Sequence, residues 1–196
     1  MGYSRAGFDV VGVDIEPQPH FPFEFHQADA FEYLEGHWRE FDAIHTSPPC
    51  QRFSRTRAMR RQYAEEHYQD VLTPMRLALT PLTIPWLIEN VPGAPGPWDI
   101  RLCGTMFGLR GSKSPVHRHR LFQASFQLEL PPFACSHVER AMNVYTSGSA
   151  RNGTEREFCD AMGVTWGNVE EGMNAIPPAY TEYLGKQLLA ACAVSK

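Results

Sequence analysis

Cys50 stands in HTSPPCQRFSRTR, residues 45–57, behind two prolines and ahead of a run of arginines and hydroxyl side chains. A thiol there is either a buried structural cysteine, the commoner fate, or a nucleophile. Nearby guanidinium groups favour the second reading, because a free thiol ionises only near a pH of about 8.5 and positive charge lowers that value. Three carboxylates, Asp14, Asp29 and Glu89, end or follow apolar runs, and two arginines, Arg118 and Arg120, sit in VHRHRLF. Taken singly, Asp14 can simply end a strand, Asp29 cap a helix and Glu89 sit in an ion pair. Together, Asp14, Asp29, Cys50 and Glu89, polar groups from four separate stretches, are what an active site needs. One further set could bind a metal: Cys135 and His137 of CSH, with Cys103 or with His117 and His119. Its spacing follows no strong ligand pattern, so no metal is expected.

Charge distribution adds to this. The chain carries a formal charge of -4, which does not mark a nucleic-acid binder. However, Arg52, Arg55, Arg57, Arg60 and Arg61 crowd the stretch after Cys50, and Arg101, Arg110, Lys113, Arg118 and Arg120 form a second group. Charge runs are usually solvated faces. The near-exclusive use of Arg beside a candidate nucleophile favours phosphate and base contacts.

At 196 residues and 43% hydrophobic, the chain is long enough for one well-cored domain. No apolar run approaches the roughly 20 residues of a membrane span, and no signal segment is read at the N-terminus. A cytoplasmic protein of a prokaryote or phage, with no membrane partner, is expected. Five scattered cysteines without a CxxC pair imply reduced thiols.

The elements that must position these side chains alternate. FDVVGVDI (8–15) and FDAIHTSPP (41–49) read as buried parallel strands, and DAFEYLEGHWREF between them reads as a helix capped by Asp29, which makes a β-α-β unit. A second helix is expected over YAEEHYQDVLTPMRLALT, broken or kinked near Pro74, followed by a strand in IPWLIENVP (84–92). Residues 92–115 read as loop, HRHRLFQASF as a strand, 131–168 as little-patterned chain, and the end as a helix from Pro177 or Pro178. The result is an α/β sheet with Asp14, Asp29, Cys50 and Glu89 at or just after strand ends, where open α/β sheets bind ligands.

At these residues the chain resembles the DNA cytosine-5 methyltransferases. GYSRAGFDVVGVDIEPQ is similar to the latter part of their first cofactor motif and its following acidic residue, ADA to the next acidic contact, and SPPCQ to the Pro-Cys motif. IENV matches their Glu-Asn-Val signature, VHRHRLF their Gln-x-Arg-x-Arg motif with Val116 in place of Gln, and NAIPP their Asn-Ala-Val-Pro-Pro stretch, preceded by Met173 where Gly is usual. Six motifs in the family's order span nearly the whole chain.

The resemblance implies a Rossmann-like class I methyltransferase sheet with helices on both faces, double-stranded DNA as partner and S-adenosylmethionine as cofactor. Cys50 would add to cytosine C6, Glu89 would act near N3, and Arg118 and Arg120 would hold the base and the catalytic residues, Arg120 at the cytosine O2. Asp14 would take the ribose hydroxyls, Ile15 the adenine face and Asp29 its amino group, with Asn174 and Ala175 lining the same pocket. The target must leave the duplex, and Arg52, Arg55, Arg57, Arg60 and Arg61 would belong to the loop closing over it.

Residues 1–122 would form the catalytic core, 123–168 a reduced target-recognition-like segment, and 169–196 the returning motif and helix. The family's glycine-rich first strand is not found ahead of Met1, so that strand is expected to be missing. Three alternatives follow: an inactive remnant that at most binds DNA, an amino-methyltransferase, for which Cys50 is the wrong residue after SPP, and the same Cys-to-C6 chemistry on a free pyrimidine nucleotide.

Overall fold

A computed structural model describes residues 1–53, 68–144 and 151–194. Helix α1 (Gly2–Ala6) leads to strand β1 (Val11–Asp14), which pairs in parallel with β2 (Glu24–Gln27), Val11 opposite Glu24 and Asp14 opposite Gln27. Helix α2 (Ala30–His37) follows. A second sheet has β3 (Ile44–Thr46) parallel to β4 (Trp86–Asn90), β6 (Arg120–Ala124) antiparallel to β4, and β5 (Ile100–Leu102) antiparallel to β6 at the edge. The molecule is thus mixed α/β with a mixed sheet.

The single β-α-β unit read between 8–15 and 41–49 is not formed. The partner of β1 is β2, and β3 belongs to the other sheet. The missed strand lies in FPFEFHQ, where Phe23 and Phe25 alternate with Glu24 and His26 at the period of a half-buried strand. Among the described residues β1 pairs only with β2 and β3 only with β4.

Strand alternation divides the core. On one face of β4, Leu87 packs with Ile100, Leu102 and Phe122 against Tyr180, Leu184 and Leu188 of α6 (Pro178–Val194). On the other, Trp86 and Ile88 pack against Leu72, Met75 and Leu79 of α3 (Leu72–Leu79), with Phe31 and Leu34 of α2 alongside. Helices therefore cover both faces. Helix α1 lies so close to α6 that a Cβ at Gly185 would stand 2.7 Å from the Ala6 Cβ. A third cluster joins Val116, Met142 and Val144 to Phe158, Met162 and Val164, around α4 (Glu155–Ala161) and α5 (Val169–Asn174). Through it much of the 123–168 segment packs on the residues just before β6.

Helix starts follow their capping residues. Asp29 Oδ1 accepts from the backbone N–H groups of Phe31 (2.8 Å) and Glu32 (3.1 Å). Asp70 does the same for Leu72 and Thr73. Pro74 then falls in the first turn of α3, where its missing N–H costs no intrahelical bond, so the kink expected there does not arise. Thr154 caps α4, and Asn168 with Glu171 forms a reciprocal capping box on α5.

Candidate active site

The candidate groups stand at or just after strand ends in the two sheets. Asp14 is the last residue of β1, Asp29 follows β2, Cys50 follows β3 and Glu89 is the penultimate residue of β4. Because β6 runs antiparallel to β4, its first residue, Arg120, lies at that same edge. Arg120 Nε stands 2.8 Å from Glu89 Oε1, in an ion pair whose side chains are only 14% and 8% exposed. Burial pushes the Glu89 carboxyl above the usual carboxylate range, against the opposing pull of Arg120, Arg118 and a hydrogen bond from Ser47. A carboxyl so placed keeps its proton to higher pH than a surface glutamate, which suits a hydrogen-bond-donating acid.

Asn90 and Ser47 tie this acid to the cysteine loop. The Asn90 side chain, fully buried, donates from Nδ2 to the Pro48 carbonyl at 3.0 Å and accepts the Val91 N–H at 2.9 Å. Pro48 is buried, and Cys50, half-buried, is held in a turn closed by the Phe53 N–H on the Cys50 carbonyl at 2.9 Å. The backbone after β4 closes on the same turn. Gly93 has φ +122°, and a Cβ there would lie 2.9 Å from the Phe53 carbonyl oxygen. Only glycine fits both the torsion and the approach. The segments SPPC and ENVPG thus interlock through Asn90 and Gly93.

Arg118 is spent on the C-terminal stretch. Its Nη2 donates to the carbonyls of Met173 (2.8 Å) and Ala175 (2.8 Å), and its Nε donates to Ala175 (3.1 Å). The Tyr180 hydroxyl donates to the Arg118 carbonyl at 2.8 Å. Arg118 therefore clamps residues 173–175 beside Arg120 rather than presenting a free fork. The same stretch meets the loop after β1, where His20 Nδ1 lies 2.9 Å from Glu171 Oε1. The resemblance puts Asp14, Ile15, Asn174 and Ala175 in one pocket; the structure ties the loop after β1 to α5 through His20 and Glu171 and holds residues 173–175 by Arg118.

Of the residues that the resemblance assigns to the cofactor, Asp14, Ile15, Asp29 and Asn174 are exposed and Ala175 is half-buried. Asp14 Oδ1 accepts the Glu16 N–H at 2.9 Å, and Asp14 is exposed at a strand end. Ile15 is 64% exposed and offers an uncovered apolar face beside it. Asp29 is exposed, with Oδ1 carrying both capping bonds. Asn174 is exposed at the end of α5. Acceptors flanking a bare aliphatic side chain are what a ribose diol and a purine ring require.

Arg52 is committed in part, donating from Nη1 to the Tyr68 carbonyl at 2.8 Å. Arg55, Arg57, Arg60 and Arg61 lie outside the described residues. Sequence reasoning did not single out Ser47, His20, Glu171 or the anchoring role of Asn90. The Glu-Asn dipeptide was the one available signal for Asn90. Two clefts lie elsewhere, one beside Thr105, Arg110 and Glu139 and one at the opposite end of β4 beside Leu82, Pro85 and Gln187. Neither includes Cys50 or Glu89. Comparison with protein-family models, curated proteins and solved structures found no match.

Proposed function

We propose that this chain is a DNA cytosine-5 methyltransferase, acting on a flipped-out cytosine through a covalent bond between Cys50 Sγ and C6 of the base. The observation that carries the reading is the interlock of SPPC with ENV: Asn90 holds the Pro48 carbonyl while Glu89, in the adjacent position of β4, is paired with Arg120. The parallel pairings of β1 with β2 and of β3 with β4 are compatible with a Rossmann-like sheet.

The residues divide the work. Addition of the Cys50 thiolate to C6 drives electrons into the ring, and a hydrogen bond from the Glu89 carboxyl to N3 spreads that charge, with Arg120 donating to O2. S-adenosylmethionine supplies the methyl group that C5 takes up. Loss of the C5 proton and expulsion of Cys50 restore the ring. Asp14, Ile15 and Asp29 hold the cofactor's ribose and adenine, and Arg118 keeps Asn174 and Ala175 against the same pocket. The arginines after Cys50 contact the DNA backbone around the extruded base.

A second reading, binding without turnover, is favoured by one observation: β1 and β3, whose ends carry Asp14 and Cys50, belong to separate sheets among the described residues. Transfer of labelled methyl groups to cytosine-containing duplex DNA separates the two. Turnover by the native chain, lost in Cys50→Ala while S-adenosylmethionine still binds, is the expected result. Retained turnover in that variant removes the thiol mechanism, and no turnover in either chain favours the second reading.

A further inference from the structure

Four soft or borderline donors, Cys103, His119, Cys135 and His137, meet that the sequence spacing had left unassigned. Cys103 follows β5, His119 precedes β6, and Cys135 and His137 lie on the irregular loop between β6 and α4. Their ligand atoms all lie within 4.8 Å of one another. Cys103 Sγ is 3.6 Å from His137 Nε2, His119 Nε2 is 3.5 Å from Cys135 Sγ, and Cys135 Sγ is 3.0 Å from His137 Nε2. A tetrahedral zinc with bonds of about 2.3 Å to sulfur and 2.0–2.1 Å to nitrogen sets adjacent S and N donors about 3.5 Å apart.

We infer that Cys103, His119, Cys135 and His137 form a closed structural site for a single zinc ion. Two sulfurs and two imidazoles select zinc over harder divalent cations. The close Cys–His spacing fits one ion rather than a two-iron cluster, in which the thiolates and the imidazoles serve different metals. Supporting contacts have the orientation such a site needs. Thr105 Oγ1 accepts the Ser136 N–H at 3.1 Å and lies 3.2 Å from Cys103 Sγ, so its hydroxyl hydrogen is free to point at the sulfur as it would at a thiolate. The His117 ring stacks on His137 at 4.1 Å between centroids and 13° between planes.

The loop's own packing supplies the second argument. Residues 132–140 are all exposed, with Phe133 70% and Val138 95% accessible. Almost no apolar burial holds this stretch, yet its Cys and His converge on a fully buried Cys103. Metal binding supplies folding free energy where a core does not. The ion would pin the loop to the ends of β5 and β6 and fix His119, the residue between Arg118 and Arg120. This inference does not rest on the methyltransferase reading, since it can be tested without DNA or cofactor.

The test uses the full chain, purified under reducing conditions from zinc-supplemented medium, with metal content by mass spectrometry and cobalt(II) titration after zinc removal. About one zinc per chain is expected, together with the ligand-field bands of tetrahedral cobalt and thiolate-to-cobalt charge transfer. Cys135→Ser and His137→Ala, both on the exposed loop, should each weaken cobalt binding by at least about tenfold with circular dichroism unchanged, while Cys50→Ser keeps full metal content. Two results would overturn the proposal: a metal-free native chain with no cobalt spectrum, or unchanged cobalt affinity in the two loop variants. If a loop variant fails to fold, the native cobalt spectrum decides alone.

Discussion

Glu89 has the most constrained environment of the candidate catalytic groups: buried in β4, paired with Arg120, and pushed above the ordinary carboxylate range by its burial. In the proposed role as protonated partner of the base, it would make the chemical step slow as pH rises through its titration. Glu89→Gln should cost about 10²-fold in single-turnover rate and flatten that alkaline limb, with the fold intact. A twofold loss with an unchanged pH profile would remove Glu89 from the acid role. His45, on β3, sets a different pH dependence. Its ring packs near Tyr3 and Phe122, its Nε2 has no hydrogen-bond partner among the described residues, and burial pushes its pKa down from 6.5 to about 4. The folded state therefore holds it neutral while the unfolded chain protonates it. Stability from this residue is complete above 6.5 and is lost as pH falls towards 4, by at most about 3 kcal/mol. Melting temperatures across that window should fall less in His45→Phe than in the native chain; equal slopes would contradict the assignment. Arg120 comes to its edge through the antiparallel direction of β6, whereas the placement of Asp14, Asp29, Cys50 and Glu89 at or just after strand ends was legible because each ends or follows an apolar run. The hold of Asn90 on Pro48 was not, since a partner 42 positions away leaves no periodic trace.

Three elements were misread for identifiable reasons. Strand β5 is three residues long and lies in the Gly- and Pro-rich stretch 92–115 that reads as loop. Strand β2 lies in a proline-interrupted stretch whose phenylalanine alternation is short, and α4 begins at Thr154 within a segment of weak apolar periodicity, although Thr154 and Glu157 have capping-box spacing. The long strands and helices, β4 and α6, were legible because each buries a continuous apolar pattern in the core. Between β4 and β5 the chain turns through Gly93, and this turn couples strand to site. Gly93→Ala forces a side chain into a positive-φ position and towards the Phe53 carbonyl. A loss of about 1–2 kcal/mol is expected, read as a lower urea midpoint with unchanged slope, together with slower methyl transfer. An unchanged midpoint would show that the two loops do not depend on this close approach.

At the scale of the molecule, the larger sheet brings Glu89, Arg120 and the turn of Cys50 to one rim, Asp14 and Asp29 stand at the ends of the separate β1–β2 pair, and helices cover both faces of the larger sheet. That mixed α/β character was readable from the alternation of apolar runs. The division into two sheets was not, because strand pairing depends on contacts far apart in sequence. Among the described residues no helix is long and apolar enough to cross a membrane. The central claim is a covalent bond from Cys50 to a pyrimidine C6, and it can be caught directly. Duplex DNA carrying 5-fluorocytosine cannot release its C5 substituent as a proton, so the adduct should persist once the methyl group has been transferred. The account predicts a denaturation-resistant protein–DNA complex that requires S-adenosylmethionine, is absent in Cys50→Ala, and yields on digestion a peptide bonded to the base through Cys50. Methylated product without any trapped complex, or a complex that forms equally in Cys50→Ala, would contradict it.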